Sequence, residues 1–160
     1  MVFNKESEFE QALIDLLVNS GWSGGVIKNP TEQQLIQNWA DILYENNRGI
    51  DRLNDYPLTK SEMEQILEQI NDLKTPLRLN GFINGGSVSI KRDNPDDVAH
   101  FGKEISLKIY DRMEIAGGQS RYQIAQQPKF PTKSKILNDR RGDLMLLING
   151  MPVIHIELKK

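Results

Sequence analysis

The hydrophobic positions of this 160-residue chain change period along its length, and the change predicts a change of element. In "KESEFEQALIDLLVNS", residues 5 to 20, Phe9, Ala12, Leu13, Leu16 and Leu17 recur at helical spacing, and Gly21 follows as a stop signal. Glu6 and Glu10 lie one turn apart, on a face beside that apolar stripe. "GWSGGVIKNP" reads as a loop. Thr31 can cap a second helix in which Leu35, Ile36, Trp39, Ile42 and Leu43 keep the same period as far as "NNRG". Thr59 and Glu62 have the spacing of a capping box for a third helix. It carries Met63, Ile66, Leu67, Ile70 and Leu73 on one face, with Pro76 beyond its end. The helical segment thus covers about 31–73.

From residue 81 the period shortens to two, between Gly-containing turns, which argues for strands. "SVSIK" alternates Val88 with Ile90, and "EISLKIY" alternates Ile105, Leu107 and Ile109 against Ser106, Lys108 and Tyr110, as a sheet wet on one face does. "SRYQIAQ" is a weaker strand, and "QPKFPTKSKILNDRRG" a basic, Pro-broken connection. The tail carries the strongest hairpin signal: "DLMLLI", apolar nearly throughout and therefore expected to be central, then the turn pair "NG", then "VIHIELK". Together these elements predict one α/β domain over 1–160, a mixed, largely antiparallel sheet flanked by helices, with the 31–73 helical layer inside it.

Composition narrows the chemistry. Without cysteine, disulfides and thiolate metal sites are excluded, and two histidines are too few for most zinc sites. The start "MVFNKESEFE" has no apolar signal core and no run approaches the roughly 20 apolar residues of a membrane span, so no membrane partner and a cytoplasmic location are expected. The net charge of −2 conceals a polarity along the chain. Residues 30–75 hold 4 basic and 9 acidic side chains, whereas 120–160 hold 8 basic and 3 acidic. The basic end is also the hairpin end.

On the last strand a period of two puts Val153, His155, Glu157 and Lys159 on one face and Ile154, Ile156 and Leu158 on the other. Glu157 and Lys159 then lie roughly 6 to 7 Å apart along the strand, close enough to serve one site. An Asp, a Glu and a Lys converging on one point suit phosphodiester hydrolysis. Paired carboxylates hold Mg²⁺, a hard ion that prefers oxygen, while the lysine positions water or neutralises charge on the phosphate. The backbone carbonyl of Leu158 is a further candidate ligand. A plainer reading fits the same pair, a strand end entering solvent with an ion pair worth under about 1 kcal/mol. Glu6 and Glu10 read as an acidic first turn favoured by the helix dipole. His155 is read as a packing histidine. Arg140, Arg141, Lys133, Lys135 and Lys129 can contact DNA phosphates or form a solvated basic loop, and their clustering near Asp143 favours the phosphates. Asp72-Leu73-Lys74 also fits D-x-K, but it falls at the end of a predicted helix, where no strand face presents the pair.

Asp, then a hairpin, then Glu-x-Lys resembles the PD-(D/E)XK nuclease signature. More narrowly, "ESEFEQALIDLLVNSGW", "RYQIAQQPKF" and "RRGDLMLLINGMPVIHIELKK" resemble, in order, the N-terminal endonuclease domain of the motor subunit of type I restriction-modification enzymes. The resemblance implies a restriction-endonuclease-like fold, metal binding by Asp143 and Glu157, Lys159 as the catalytic lysine, and Glu10 as support for the metal. It implies duplex DNA as substrate, with methyltransferase and specificity subunits and downstream motor domains as partners. In that family a Gln-x-x-x-Tyr motif and ATP-driven domains follow the lysine. The sequence stops at Lys160 and has no phosphate-binding loop, so the chain is expected to be a fragment, with ATP binding assigned to the absent domains. Rival readings are a stand-alone Mrr-like or repair nuclease of the same core, and a non-catalytic docking module built on the acidic helices.

Strand register tests the site. A two-residue Asn149-Gly150 turn makes paired residue numbers sum to 299, which sets Asp143 against Ile156 and on the wrong face. A sum of 300 sets Asp143 against Glu157, and so requires either a longer loop or a bulge.

Overall fold

A computed structural model describes residues 6–49, 52–71, 87–109, 120–129 and 144–157. Its element order is α1 (Glu6–Asn19), β1 (Val26–Lys28), α2 (Glu32–Asn46), α3 (Lys60–Asn71), β2 (Ser87–Lys91), β3 (Glu104–Lys108), β4 (Tyr122–Gln126), β5 (Leu144–Ile148) and β6 (Met151–Ile156). The architecture is α/β, as expected. Among the described residues the strands form a mixed four-stranded sheet, β1-β4-β5-β6, and a two-stranded antiparallel sheet, β2-β3. β1 runs parallel to β4, and the other pairs of the larger sheet are antiparallel. The chain divides into two compact units, one formed by Met1–Leu35 and Arg121–Lys160, the other by Ile36–Ser120. No described helix is long and apolar enough to cross a membrane.

In the first unit β5 is the central strand, and Leu144, Met145, Leu146 and Leu147 are all buried. Burial on both faces explains why its sequence does not alternate. One face packs Ile124, Leu144 and Leu146 against Ile14, with Leu13, Leu17 and Val18 of α1 and Trp22 beside them. The other packs Ala125, Met145 and Leu147 against Leu35, with Ile27 beside them. Trp22 also meets Tyr122 edge-on, ring centres 5.3 Å apart.

The inner face of α1 is rotated from the predicted one: Leu13 and Leu17 pack inwards as expected, but Phe9 and Leu16 do not. Glu10 and Ile14 are buried, whereas Phe9 and Leu16 are exposed, Leu16 by 62%. Glu10, Leu13, Ile14 and Leu17 follow the i, i+3, i+4, i+7 rule, with a carboxylate at the leading position. A charged residue in that phase turns the apparent apolar stripe towards Phe9 and Leu16.

α2 and α3 bear out the helical reading as far as Asn71. Thr59 and Glu62 make the capping box: the Thr59 hydroxyl accepts from Glu62 N at 3.2 Å, and Glu62 Oε1 accepts from Thr59 N at 2.8 Å. At α2, which begins in the first unit, Thr31 makes the same exchange with Gln34. Met63, Ile66 and Leu67 of α3 are buried, as are Val88, Ile90, Ile105, Leu107 and Ile109. Gln65 and Gln69, one turn apart on α3, bond to the backbone of β2 at Lys91 and Ser89, using each amide as donor and acceptor. A helix thereby occupies a strand edge that would otherwise invite foreign pairing. The segment Asp72-Leu73-Lys74 lies outside the described residues.

Arg92 is wholly buried, with each guanidinium nitrogen engaged. Nε donates to Asp97 at 3.0 Å, Nη1 to Glu62 at 2.8 Å and to Pro57 O, and Nη2 to the Leu53 and Tyr56 carbonyls. Glu62 and Asp97 are also fully buried. His100 Nδ1 stands 3.0 Å from Asp97 Oδ2. Burial pushes the Asp97 carboxyl up, but the Arg92 and His100 hydrogen bonds outweigh it and hold Asp97 below the ordinary value of 3.8.

Candidate active site

The β5–β6 hairpin closes through two residues. Ile148 pairs with Met151 and Leu147 with Pro152, both at a number sum of 299. Asn149 and Gly150 sit at φ 52° and 87°. Positive φ at both central positions is the turn whose twist suits a hairpin, and Asn-Gly is its preferred sequence. The register then shifts between Leu146 and Leu147, so that Leu146 pairs with Ile154, Met145 with His155 and Leu144 with Ile156, all at a sum of 300. The extra residue is Val153. It packs with Ile156 in the α1-facing cluster rather than sharing the His155 face as strict alternation predicts. A bulge seats two residues of one strand against one of the other, which accounts for the change of face.

β4 continues the ladder, with Gln126 opposite Leu144 and, on its other side, Lys28 of β1. Lys28, Gln126, Leu144 and Ile156 therefore form one row at one end of the sheet. Glu157 follows Ile156 immediately and is exposed. His155 is half-buried opposite Met145.

Glu10 reaches the same row from α1. It is 4% exposed, and its oxygens are divided between two side chains of β4 and its continuation. Oε1 accepts from Gln126 Nε2 at 2.8 Å, and Oε2 accepts from Gln127 Nε2 at 2.7 Å. Gln126 Oε1 is buried and has no hydrogen-bond partner among the described residues. A carboxylate can only accept here, so the amide nitrogen must face Glu10 and the amide oxygen is left on the far side. Carboxylate and amide oxygens are donors of the kind that Mg²⁺ takes, but here the Gln126 oxygen faces away from the Glu10 carboxylate.

Of the residues singled out from sequence, the structure thus describes Glu10, Glu157, His155 and Lys129. Lys129 is exposed, with its backbone bridged to the Pro30–Thr31 segment. Asp143, Leu158, Lys159, Arg140, Arg141, Lys133 and Lys135 lie outside the described residues, and of Glu6 only the backbone is described. Among the described residues no three His, Cys, Asp or Glu groups converge. Gln126 and Gln127 were not predicted as site residues. The signal they left is slight: two adjacent amides, closing an apolar strand just before Pro128.

Residues 4–160 match the family model described as type I restriction enzyme R protein N terminus. The chain is 31% identical over its whole length to the type I restriction enzyme SsaAORF53P endonuclease subunit of Staphylococcus saprophyticus. It is 27% identical to the SauCOLORF180P and 26% to the SauMSSORF170P endonuclease subunits, from two strains of Staphylococcus aureus, again over its whole length. It spans 15% of the length of each of these relatives. The resemblance carried by the first helix, "RYQIAQQPKF" and the final hairpin is therefore one of kinship, and the chain belongs to the family of type I restriction enzyme R protein N-terminal domains.

Proposed function

We propose that this domain is a Mg²⁺-dependent endonuclease that hydrolyses phosphodiester bonds of duplex DNA in restriction of foreign DNA, as the nuclease module of a larger motor subunit. The observation that carries the reading is the bulge at Val153. The described rungs end at Leu144 opposite Ile156 with a sum of 300, the register that the catalytic reading requires of Asp143 and Glu157. A plain two-residue turn would have left the sum at 299 throughout.

In this mechanism Asp143, Glu157 and the Leu158 carbonyl would hold the metal, with Glu10 supporting it from α1. Bound there, the metal would stabilise charge on the scissile phosphate and acidify the attacking water. Lys159 would orient that water and donate to the phosphate oxygens as charge develops. Arg140, Arg141, Lys133 and Lys135 would hold the DNA backbone, without reading bases. Sequence choice would then belong to the specificity and methyltransferase partners, and ATP use to the motor domains.

The test is Asp143→Ala and Lys159→Ala in the full-length subunit, assembled with its partners. Assembly and DNA binding are expected to survive while cleavage falls by at least 100-fold. Undiminished cleavage would overturn the assignment. Loss of cleavage in an intact assembly would also dispose of the docking-only reading.

A further inference from the structure

The turn between β2 and β3 reverses the usual placement of polar and apolar side chains. Asp97 O accepts from His100 N at 3.2 Å and from Phe101 N at 2.9 Å, which winds residues 97–101 into one helical turn. Positions three apart in such a turn share a side. Asp97 and His100 take its inner side, bonded to each other and, through Asp97, to the wholly buried Arg92. Val98 and Phe101 take the outer side, 83% and 55% exposed, with Ala99 exposed between them. A single apolar side chain in water calls for no explanation, but an adjoining pair above a buried charge cluster does.

Hydrogen bonds hold the turn in this inverted arrangement. Arg92 N donates to Lys103 O at 2.9 Å and Gly102 N to Arg92 O at 2.8 Å, closing its base. Asn94 Oδ1 accepts from Asp96 N at 3.0 Å, while Asn94 Nδ2 donates to Pro57 O and Asp93 N to Glu62 Oε2. Turning Val98 and Phe101 inwards would take Asp97 away from Arg92, leaving a buried cation short of one carboxylate. The apolar pair therefore stays outside unless another surface covers it. A loop fixed beforehand in this way loses little conformational entropy on docking.

We propose that Val98 and Phe101 form a docking knuckle, covered in the full-length subunit by a part of the same polypeptide that lies outside these 160 residues. This inference rests on the reading of the chain as a module of a larger subunit, and not on its chemistry. The chain spans 15% of the length of the relatives named above, so in a subunit of that size most of the polypeptide is tethered to this domain. Area decides between a tethered occupant and a free one. A stable complex of separate proteins takes about 800 Å² from each partner, and a fully buried aromatic side chain supplies at most about 250 Å². A valine and a phenylalanine fall well short of that. Covalent linkage raises the effective concentration to about the millimolar range, which lets a small apolar contact persist. Asp96 and Glu104, exposed with Lys103 around the turn, leave its rim acidic, so the surface that fits it is an apolar recess bordered by basic side chains.

The experiment puts photoreactive p-benzoylphenylalanine in place of Phe101 in the full-length subunit and maps the crosslinked peptides by mass spectrometry after irradiation. The expected product joins position 101 to a position outside residues 1–160 and keeps the mass of a single subunit. The same group at Ser106, on the wet face of β3, should give no such product. Moved to Ala99, it should give the same crosslink, and Val98→Asp/Phe101→Asp in that background should lower the yield by about 10-fold or more, as loss of interface anchors does. A crosslink confined to residues 1–160, or one to a second copy, another subunit or DNA, overturns the proposal. So does the absence of any crosslink, an equal yield from Ser106, or a yield at Ala99 that the two aspartates leave unchanged. Cleavage by Asp143→Ala and Lys159→Ala is read separately, so a failed knuckle leaves the nuclease reading standing, and a failed nuclease reading leaves the knuckle.

Discussion

Glu62 and Asp97 in the segment 36–120, and Glu10 in the unit formed by 1–35 and 121–160, are all carboxylates withdrawn from water, yet their partners differ. Glu62 and Asp97 share the buried guanidinium of Arg92, whose remaining protons go to backbone carbonyls. Glu10 has two neutral amides and, among the described residues, no cation. Burying an ion is costly unless it is paired and hydrogen-bonded. The Arg92 cluster meets that demand internally, as a structural element does. Glu10 meets it by hydrogen bonding alone, with acceptor capacity left on both oxygens. The contrast separates a carboxylate neutralised by a buried cation from one held by neutral amides alone.

The largest expected effect breaks the first arrangement. Arg92→Met leaves Glu62 and Asp97 buried without their cation, and removing one partner of such a pair costs about 3–5 kcal/mol. A drop in melting temperature on the order of 10 °C should follow, with a loss of the native emission of Trp39, which is buried in the same unit. Glu10→Gln should cost far less, about 1–2 kcal/mol, since the Gln126 amide can reverse and keep most of the hydrogen bonding. Comparable thermal losses in the two variants would erase the distinction.

That distinction was only half legible in the sequence. Capping residues, the Asn-Gly turn and the alternation of β2 and β3 are local signals, and local signals predicted α2, α3, the hairpin and the centrality of β5. The inner face of α1 was misjudged at Phe9 and Leu16, because a buried carboxylate in the apolar phase counts as polar in any pattern. The bulge at Val153 was named as a requirement but could not be located, since it depends on the β5 side chains that Pro152 and Val153 must meet. The Arg92 cluster and the Glu10 contacts were invisible for the same reason. Arg92 lies 30 residues from Glu62, and Glu10 lies 116 residues from Gln126. No spacing rule spans such distances, and only the completed sheet brings those groups together.

A smaller effect sharpens the comparison from within the second unit. Thr59→Ala removes a cap worth about 1 kcal/mol and also the hydroxyl that donates to Asp93. Thr31→Ala removes a cap of the same kind, with Gln34 as its partner. Thr59→Ala should therefore be the more destabilising of the two in urea unfolding, and equal losses would deny the Asp93 contact any energetic role.

The smallest effect is one of pH, and its sign follows from Asp97. Its folded-state pKa lies below 3.8 because Arg92 and His100 outweigh the burial that pushes it up. As pH falls, the unfolded chain takes up this proton first, so the stability contributed by Asp97 is complete above the unfolded value. It is then lost as pH falls through 3.8 towards the lower folded value. Asp97→Asn should thus be less stable than the parent chain at pH 6, and the gap should narrow as pH falls from about 4. The gap can be read by urea titrations at successive pH values in a Trp22→Phe background, where Trp39 is the sole tryptophan. His100→Asn, which removes one of the two hydrogen bonds that lower the Asp97 pKa, should flatten the same pH dependence partway. A gap that stays constant from pH 6 to pH 3 would mean that Arg92 is not electrostatically coupled to Asp97, and the second unit would lose its claim to have neutralised its own buried charge.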